Sequence, residues 1–435
     1  MKLFQQMLVA TAAVGLVAPI AAQASDVLNL DGMNDYSKSN KSAKRIDSQT
    51  FISETNEDIA VLKGRVDGLE ALQGDFEAAA FSSTTTMDGK AIMWVGAVDG
   101  GDTIGGSETT QTGYSYTMNL NTSFTGDDNL YVRLKAGENG AQWGKKPTYH
   151  IETKGTSDAF KVDKMWYTLP VGDNLTFIGG PRIENYYMYI TPSIYQPGAL
   201  KSMKLGGNSN FGASTDVGFG FKWETDNGFG LASNIVDKSS DGVGVLGEPG
   251  GILGTGSVRK WDTQIAYTQP RYHVSLTLSD AQNWTSQSYN ATTLGAGMKG
   301  SDGDTTGYAL RAYWRPLETG SATPEVSVGY DTKSADTPAA GKAKEADSYF
   351  VGLTWRDMFQ SDDRIGFAVT QPLKQTECNG TCTSTEVDPF VWEAYYAFKP
   401  NDSMEVRPAI FGGTDVLADT ADDIFGVVVT STFKF

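Results

Sequence analysis

The chain ends Phe425-Gly-Val-Val-Val-Thr-Ser-Thr-Phe-Lys-Phe435, FGVVVTSTFKF, an alternation that stops on an aromatic residue. Chain ends are usually loose and polar. A last residue that still keeps a period of two predicts a strand that runs to the end of the sequence. That alternation puts Phe425, Val427, Val429, Ser431, Phe433 and Phe435 on one face. Gly426, Val428, Thr430, Thr432 and Lys434 fall on the other.

The same period runs back to about residue 84. It predicts sixteen strands near 84–98, 113–124, 128–137, 161–170, 174–182, 216–225, 228–236 and 262–269, then 271–279, 306–315, 324–331, 347–356, 363–371, 389–398, 403–412 and 423–435. DVGFGFKWE, with Val217, Phe219, Phe221 and Trp223 on one face, is typical. The links between segments alternate short and long without exception. Short ones such as TGDD (125–128), TDNG (225–228) and QPR (269–271) are tight turns, and the others are long and rich in Gly, Ser, Thr and Asp. Putting every long link at one end, with an even strand number, is the pattern of a transmembrane β-barrel. Apolar faces would meet lipid and polar faces a lumen. The expectation is an all-β, 16-stranded antiparallel barrel over 84–435, with no exposed edge because the last strand pairs with the first.

Composition narrows the class. The net charge of −17 argues against nucleic acid as a partner. Residues 1–24, with Lys2, an apolar run from about Met7 to Ala22, and Ala22-Gln23-Ala24, read as a cleavable export signal. Residues 25–51 are polar and irregular in pattern. In 52–80 the residues Ile52, Ile59, Leu62, Val66, Leu69 and Phe76 keep heptad spacing, which predicts an amphipathic helix with weak coiled-coil character. Cys378 and Cys382, four apart in ECNGTC, read as a local disulfide rather than a metal site, and no metal or other cofactor is expected.

The stretches MKLFQQMLVA, AVLKGRVDGLEA and FSSTTTMDGKA resemble the outer-membrane porins of cyanobacteria. These are related to the carbohydrate-selective OprB-type porins and are often described as iron-uptake porins. The resemblance covers residues 1–35 and 52–435 and is most specific where the helix meets the first strand. It implies a homotrimer of 16-stranded barrels in outer-membrane lipid, and a terminal aromatic, here Phe435 with Phe433 before it, that serves as an assembly signal. Members usually carry an S-layer homology domain before the helix. This chain has only DGMNDYSKSNKSAKRIDSQT there, so binding of a cell-wall polymer does not carry over.

A passive pore selects by charge and width at a constriction. The third long link, about 183–215, is the longest. Its Tyr186, Tyr187, Tyr189, Tyr195, Lys201 and Lys204 make it the constriction candidate, with an external cap as the other reading. Alternation places Arg133, Lys135, Arg182, Lys222, Glu224, Arg311, Arg315, Glu325, Arg356, Arg364, Glu393, Glu405 and Arg407 on the lumen wall. Nine of these thirteen are basic, which favours anions, and Arg311 and Arg407 are the residues expected to set that preference. The last long link, with Asp415, Asp419, Asp422 and Asp423, favours cations. The solutes are expected to be small and hydrophilic: inorganic ions, with iron species or sugars as further candidates. An enzyme is not expected, because the two histidines, His150 and His273, form no convincing catalytic arrangement. The rival from another class is a structural or adhesive barrel whose external links bind partners.

Overall fold

The computed structural model describes residues 62–66, 84–99, 109–138, 150–152, 155–190, 193–207, 211–212, 215–239, 241–245, 247–286, 290–300, 302–382, 388–415 and 423–435. The expected export signal, the segment 25–51 and most of the expected helix over 52–80 lie outside them; of that span, residues 62–66 are helical.

Sixteen strands follow. They are β1 (Thr85–Asp99), β2 (Gln111–Thr122), β3 (Asn129–Glu138), β4 (Lys161–Val171), β5 (Leu175–Ile183), β6 (Asp216–Glu224), β7 (Phe229–Asp237) and β8 (Arg259–Gln269). The second half holds β9 (Tyr272–Gln282), β10 (Asp304–Trp314), β11 (Glu325–Ser334), β12 (Ala343–Arg356), β13 (Arg364–Cys378), β14 (Phe390–Asn401), β15 (Met404–Thr414) and β16 (Ile424–Lys434). Each pairs with its sequence neighbours, and β16 returns to β1, closing an antiparallel barrel.

Two cross-strand rows show what the alternation encodes. Trp223, Leu231, Ile265, Leu276, Leu310, Tyr330 and Tyr349 stand side by side on β6 to β12 and point outward, and all but Leu231 are exposed. One residue away, Lys222, Ala232, Gln264, Thr277, Ala309, Asp331 and Ser348 form the matching inward row. An apolar belt of this extent facing out is stable only against an apolar surrounding.

The seam explains the aromatic end. The Phe435 amide donates to the Gly89 carbonyl (3.2 Å), and the Gly89 amide donates to the Phe435 carbonyl (2.9 Å). Its ring stacks on Tyr116 at 5.6 Å. A Cβ on Gly89 would come within 2.6 Å of the Phe435 ring, so the last residue fits only over glycine. Two of the tight turns are tied by an aspartate at the following strand: Asp128 accepts from the Phe124 and Thr125 amides, and Asp363 from those of Met358, Phe359 and Gln360.

The strict alternation of short and long links needs one correction. The links 335–342 and 415–423 are both shorter than the turn 315–324, because β11, β12 and β15 run further toward the long-link rim than their sequence pattern shows. The seventh link begins with a disulfide between Cys378 and Cys382.

Candidate pore and constriction

The third link lies inside the barrel. It leaves β5 through a short 3-10 turn (Asn185–Met188), crosses along the inner wall toward β14, and returns through a second 3-10 segment (Lys201–Gly206). Its described residues are fastened at four places. Near β8, Asp262 accepts from the Tyr189 hydroxyl (2.5 Å) and the Asn185 amide (2.8 Å), while the Ile190 amide donates to Gln264 (2.8 Å). At β11, the Ser193 and Ser327 hydroxyls meet at 2.8 Å.

At β14, the Glu393 carboxylate accepts from the Tyr195 hydroxyl (2.9 Å) and from the amides of Gly198 (2.7 Å), Ala199 (3.0 Å) and Leu200 (2.8 Å). At β10, the Arg311 guanidinium donates to the carbonyls of Leu205 (2.8 Å) and Gly207 (2.5 Å) and pairs with Asp331. Gly206 and Gly207 have φ of 71° and 79°, and the absent side chain of Gly329 lets the Gly206 carbonyl approach the wall. Apolar packing completes the seat: Tyr195, Ala199, Leu200 and Met203 are buried with Trp94, Phe350, Tyr395, Phe411 and Val428.

These contacts revise several sequence expectations. Tyr189 and Tyr195 turn into the wall and hold the link there. Only Tyr186 and Tyr187, half-buried with Lys201 and Lys204, keep part of their surface open. Arg311 and Glu393 are inward as expected but wholly buried as clamps, so Arg311 does not present its charge to a solute. Arg182 is off the lumen altogether: a bulge between Gly180 and Ile183 sets it opposite Met165 on the outer face, where it is exposed. Pro181, which has no amide to give to the ladder, sits in that bulge.

The second link enters the barrel as well, which its sequence did not signal. His150 forms an antiparallel bridge with Leu200, and the Ile151 amide donates to the Ala199 carbonyl (2.7 Å). His150 is buried against Trp94 (5.5 Å between rings) and near the Thr430 hydroxyl (3.4 Å). Burial pushes its imidazole down to about 3. Burial also pushes the Glu152 carboxyl up, but Lys90 and Arg407 outweigh this and hold it at about 2.

Glu152 thereby joins a chain of ion pairs. It lies 3.6 Å from Lys90 and 3.7 Å from Arg407, and Arg407 lies 3.7 Å from Glu405, which takes Arg364 at 2.9 Å. Glu325 holds Arg356 (3.0 Å) and Arg315 (3.6 Å) in the same way. Apart from the two clamps Arg311 and Glu393, the expected wall charges of β10 to β15 are therefore engaged in ion pairs.

The opposite arc differs. Tyr131, Arg133 and Lys135 on β3 are half-buried, and Asn119 and Asn121 face the same space from β2. A row of rings climbs from this wall onto the third link: Tyr131 to Trp166 at 4.2 Å, Trp166 to Tyr187 at 4.6 Å, and Tyr187 to Tyr186 at 4.5 Å. Cations flank it. Lys164 lies 5.0 Å from the Tyr187 ring, Lys204 4.4 Å from Tyr186, and Arg133 5.5 Å from Tyr131. Lys164 bonds Glu184; burial pushes that carboxyl up, and Lys164 with Lys204 more than reverses this, holding it at about 2. Lys164 escaped the sequence pattern because a register shift between Arg133 and Leu134 brings it onto the inner face. Lys222 and Glu224 stand at the turn end of β6, opposite Ala232 and Gly230 of β7, where Ile190 of the third link packs.

No family model matches the chain. It is 25% identical over 421 residues to an uncharacterized protein of Nostoc sp., covering 89% of this chain and 72% of that protein. A second uncharacterized protein, from Synechocystis sp., is 25% identical over 384 residues, covering 80% and 68%. Among solved structures, OprB of Pseudomonas putida matches with a TM-score of 0.58 at 12% identity, over 83% of this chain and 97% of that one. An anion-selective porin from Comamonas acidovorans matches at 0.53 and 11%, over 81% and 100%. Salmonella typhi OmpF matches at 0.51 and 13%, over 81% and 97%. The fold is that of outer-membrane porins.

Proposed function

We propose that this barrel is an outer-membrane porin, a water-filled pore for passive diffusion of small hydrophilic solutes, inorganic ions foremost. The observation that carries this reading is the one-sided seating of the third link. Its anchors lie on β8, β10, β11 and β14, while Asn119, Tyr131, Arg133 and Lys135 of β2 and β3 stay half-buried, the arrangement that would narrow a lumen without filling it. On this reading the constriction lies between Tyr186, Tyr187 and Lys204 on one side and Arg133 and Lys135 on the other. With the clamps and the ion pairs of β10 to β15 set aside, the partly exposed charges there, Arg133, Lys135 and Lys204, are basic, which favours anions; iron species and sugars remain solutes to be tried. The export signal of 1–24, homotrimeric assembly and the assembly role of Phe433 and Phe435 belong to the same reading.

Purified protein in a planar bilayer is expected to give stepwise conductance with a reversal potential displaced toward anions in a salt gradient. Liposome swelling with sugars and iron complexes of graded size then ranks the solutes. A barrel that inserts, as shown by heat-modifiable migration, and never conducts would overturn the pore in favour of a structural or adhesive barrel.

A further inference from the structure

Three lysines of the inner wall take no part in the ion-pair chain or the constriction. Lys260 on β8 and Lys333 on β11 are buried, and Lys238 follows β7 directly. All three converge on Trp284 in the fifth link. The Lys238 Nζ stands 3.8 Å from the centre of the Trp284 ring, and the Lys333 Nζ is 3.4 Å from the backbone carbonyls of both Trp284 and Met298. Lys260 stands between Val236 and Ala281 in its row, and both of these pack with Trp284. The charged groups acting on Lys333 are Lys260 and Lys238, both of its own sign.

Nearby carboxylates do not balance this. Asp262 meets Lys260 at 3.2 Å but also serves Tyr189 and Asn185. Asp331, two residues before Lys333, is engaged by Arg311 and the Phe211 amide. Asp216 acts on Lys238; burial, the largest influence, still lowers that ammonium below its usual value, with Lys260 adding to the effect. The inward row through Lys333 continues as Gly307, Ser279, Asp262, Asn234 and Gly220. In this row the Ser279 hydroxyl and both polar atoms of the Asn234 amide are buried without a protein partner. Like charges gathered out of water with neutral donors beside them are costly unless an anion joins them.

We propose that Lys238, Lys260 and Lys333 form a binding site for a small tetrahedral oxyanion, phosphate or sulfate, beneath the fifth link. Three ammonium groups, the Asn234 amide and the Ser279 hydroxyl supply donors from several directions, as a tetrahedral acceptor requires and a halide does not. The site goes beyond passive diffusion: it would hold an oxyanion beside the pathway, under a tryptophan that shares an apolar cluster with Trp166 of β4.

The test is calorimetric titration of the folded full chain in detergent with sodium phosphate, sulfate or chloride at constant ionic strength. One saturable site for phosphate and sulfate, and none for chloride, is expected. Lys333→Gln and Lys238→Gln should each weaken binding about tenfold, the scale of one lost charge-assisted contact. Lys399→Gln, whose side chain pairs with Asp362 at a turn, should leave it unchanged. Absence of saturable heat, an equal response to chloride, or unaltered affinity in Lys238→Gln would refute the site. Lys238 lies beyond the strand end, so its variant decides the matter even where Lys333→Gln does not fold. Binding without conductance would retire the pore and keep the site; conductance without binding would do the reverse.

Discussion

Two arcs of one wall carry the same alternation and do different work. From β8 to β15 the inward charges are covered or paired: Glu393 and Arg311 grip the third link, and Glu325, Glu405 and Glu152 neutralise four arginines. From β2 to β4 the inward groups Asn119, Tyr131, Arg133 and Lys135 stay half-open. The difference is set by a link that starts at β5 and seats itself across the lumen. Period-2 patterning tells which face a residue occupies; what then covers that face is decided by contacts far apart in sequence.

The largest effect should come from breaking the covered arc at Glu393. Glu393→Leu leaves the Tyr195 hydroxyl and three amides without an acceptor. Each buried donor left unmet costs about 1–3 kcal/mol, and losing such a charged partner costs about 3–5 kcal/mol in all. The link should then leave the wall. Single-channel conductance is expected to change severalfold and become noisy, with the midpoint of denaturant unfolding lowered. Conductance and stability equal to the parent would show that apolar packing alone seats the link. Arg311→Ser should resemble it, acting on link position and not on ion preference.

Acid should loosen the same arc at the second link. The folded values of both Glu152, about 2, and His150, about 3, lie below their ordinary ones. A depressed carboxyl stabilises above its unfolded value, near 4.3, and loses that contribution as pH falls toward 2. A depressed imidazole likewise favours the folded state above about 6.5 and loses this between there and 3, because the folded site must stay neutral. Docking of the second link is therefore expected to weaken in two stages from about pH 6.5 downward. Hydrogen exchange of the Ile151 amide, read against pH, reports it directly. His150→Gln should remove the upper stage and keep the lower; a profile unchanged by that substitution would rule out His150 as the cause.

The barrel itself was legible because lipid and water impose one rule on every strand. All sixteen predicted segments coincide with observed strands, and the errors lie at their ends. Those ends mattered for charge. Lys260 and Lys333 fell outside the expected strands, because β8 begins earlier and β11 ends later than the pattern suggests. Bulges caused the remaining errors. One extra residue near Pro181 moved Arg182 outward, and one near Arg133 brought Lys164 inward, since a single-residue slip exchanges the faces. That Tyr189 and Tyr195 would face the wall while Tyr186 and Tyr187 face the opening depends on acceptors supplied by Asp262 and Glu393, dozens to hundreds of residues away. No local pattern contains that information.

The smallest effect should come from the open arc, where substitutions alter charge and leave the packing alone. Arg133 reaches Asp163 at 3.9 Å and Asn119 at 3.1 Å, and its side chain remains partly exposed. A unit charge about 7 Å from a hydrated ion contributes roughly 0.6 kcal/mol through water, a factor of about two to three. Arg133→Ser with Lys135→Ser should lower the anion-to-cation permeability ratio by a few-fold at low salt and by less in high salt, where screening shortens the reach of both charges. Conductance noise and unfolding midpoint should hold at parental values, in contrast to Glu393→Leu. Reversal potentials that stay fixed while noise rises would invert the comparison: β2 to β4 would then be the arc that holds the links, and ion preference would have to arise from the carboxylates outside the barrel wall, such as Asp415 and Asp423.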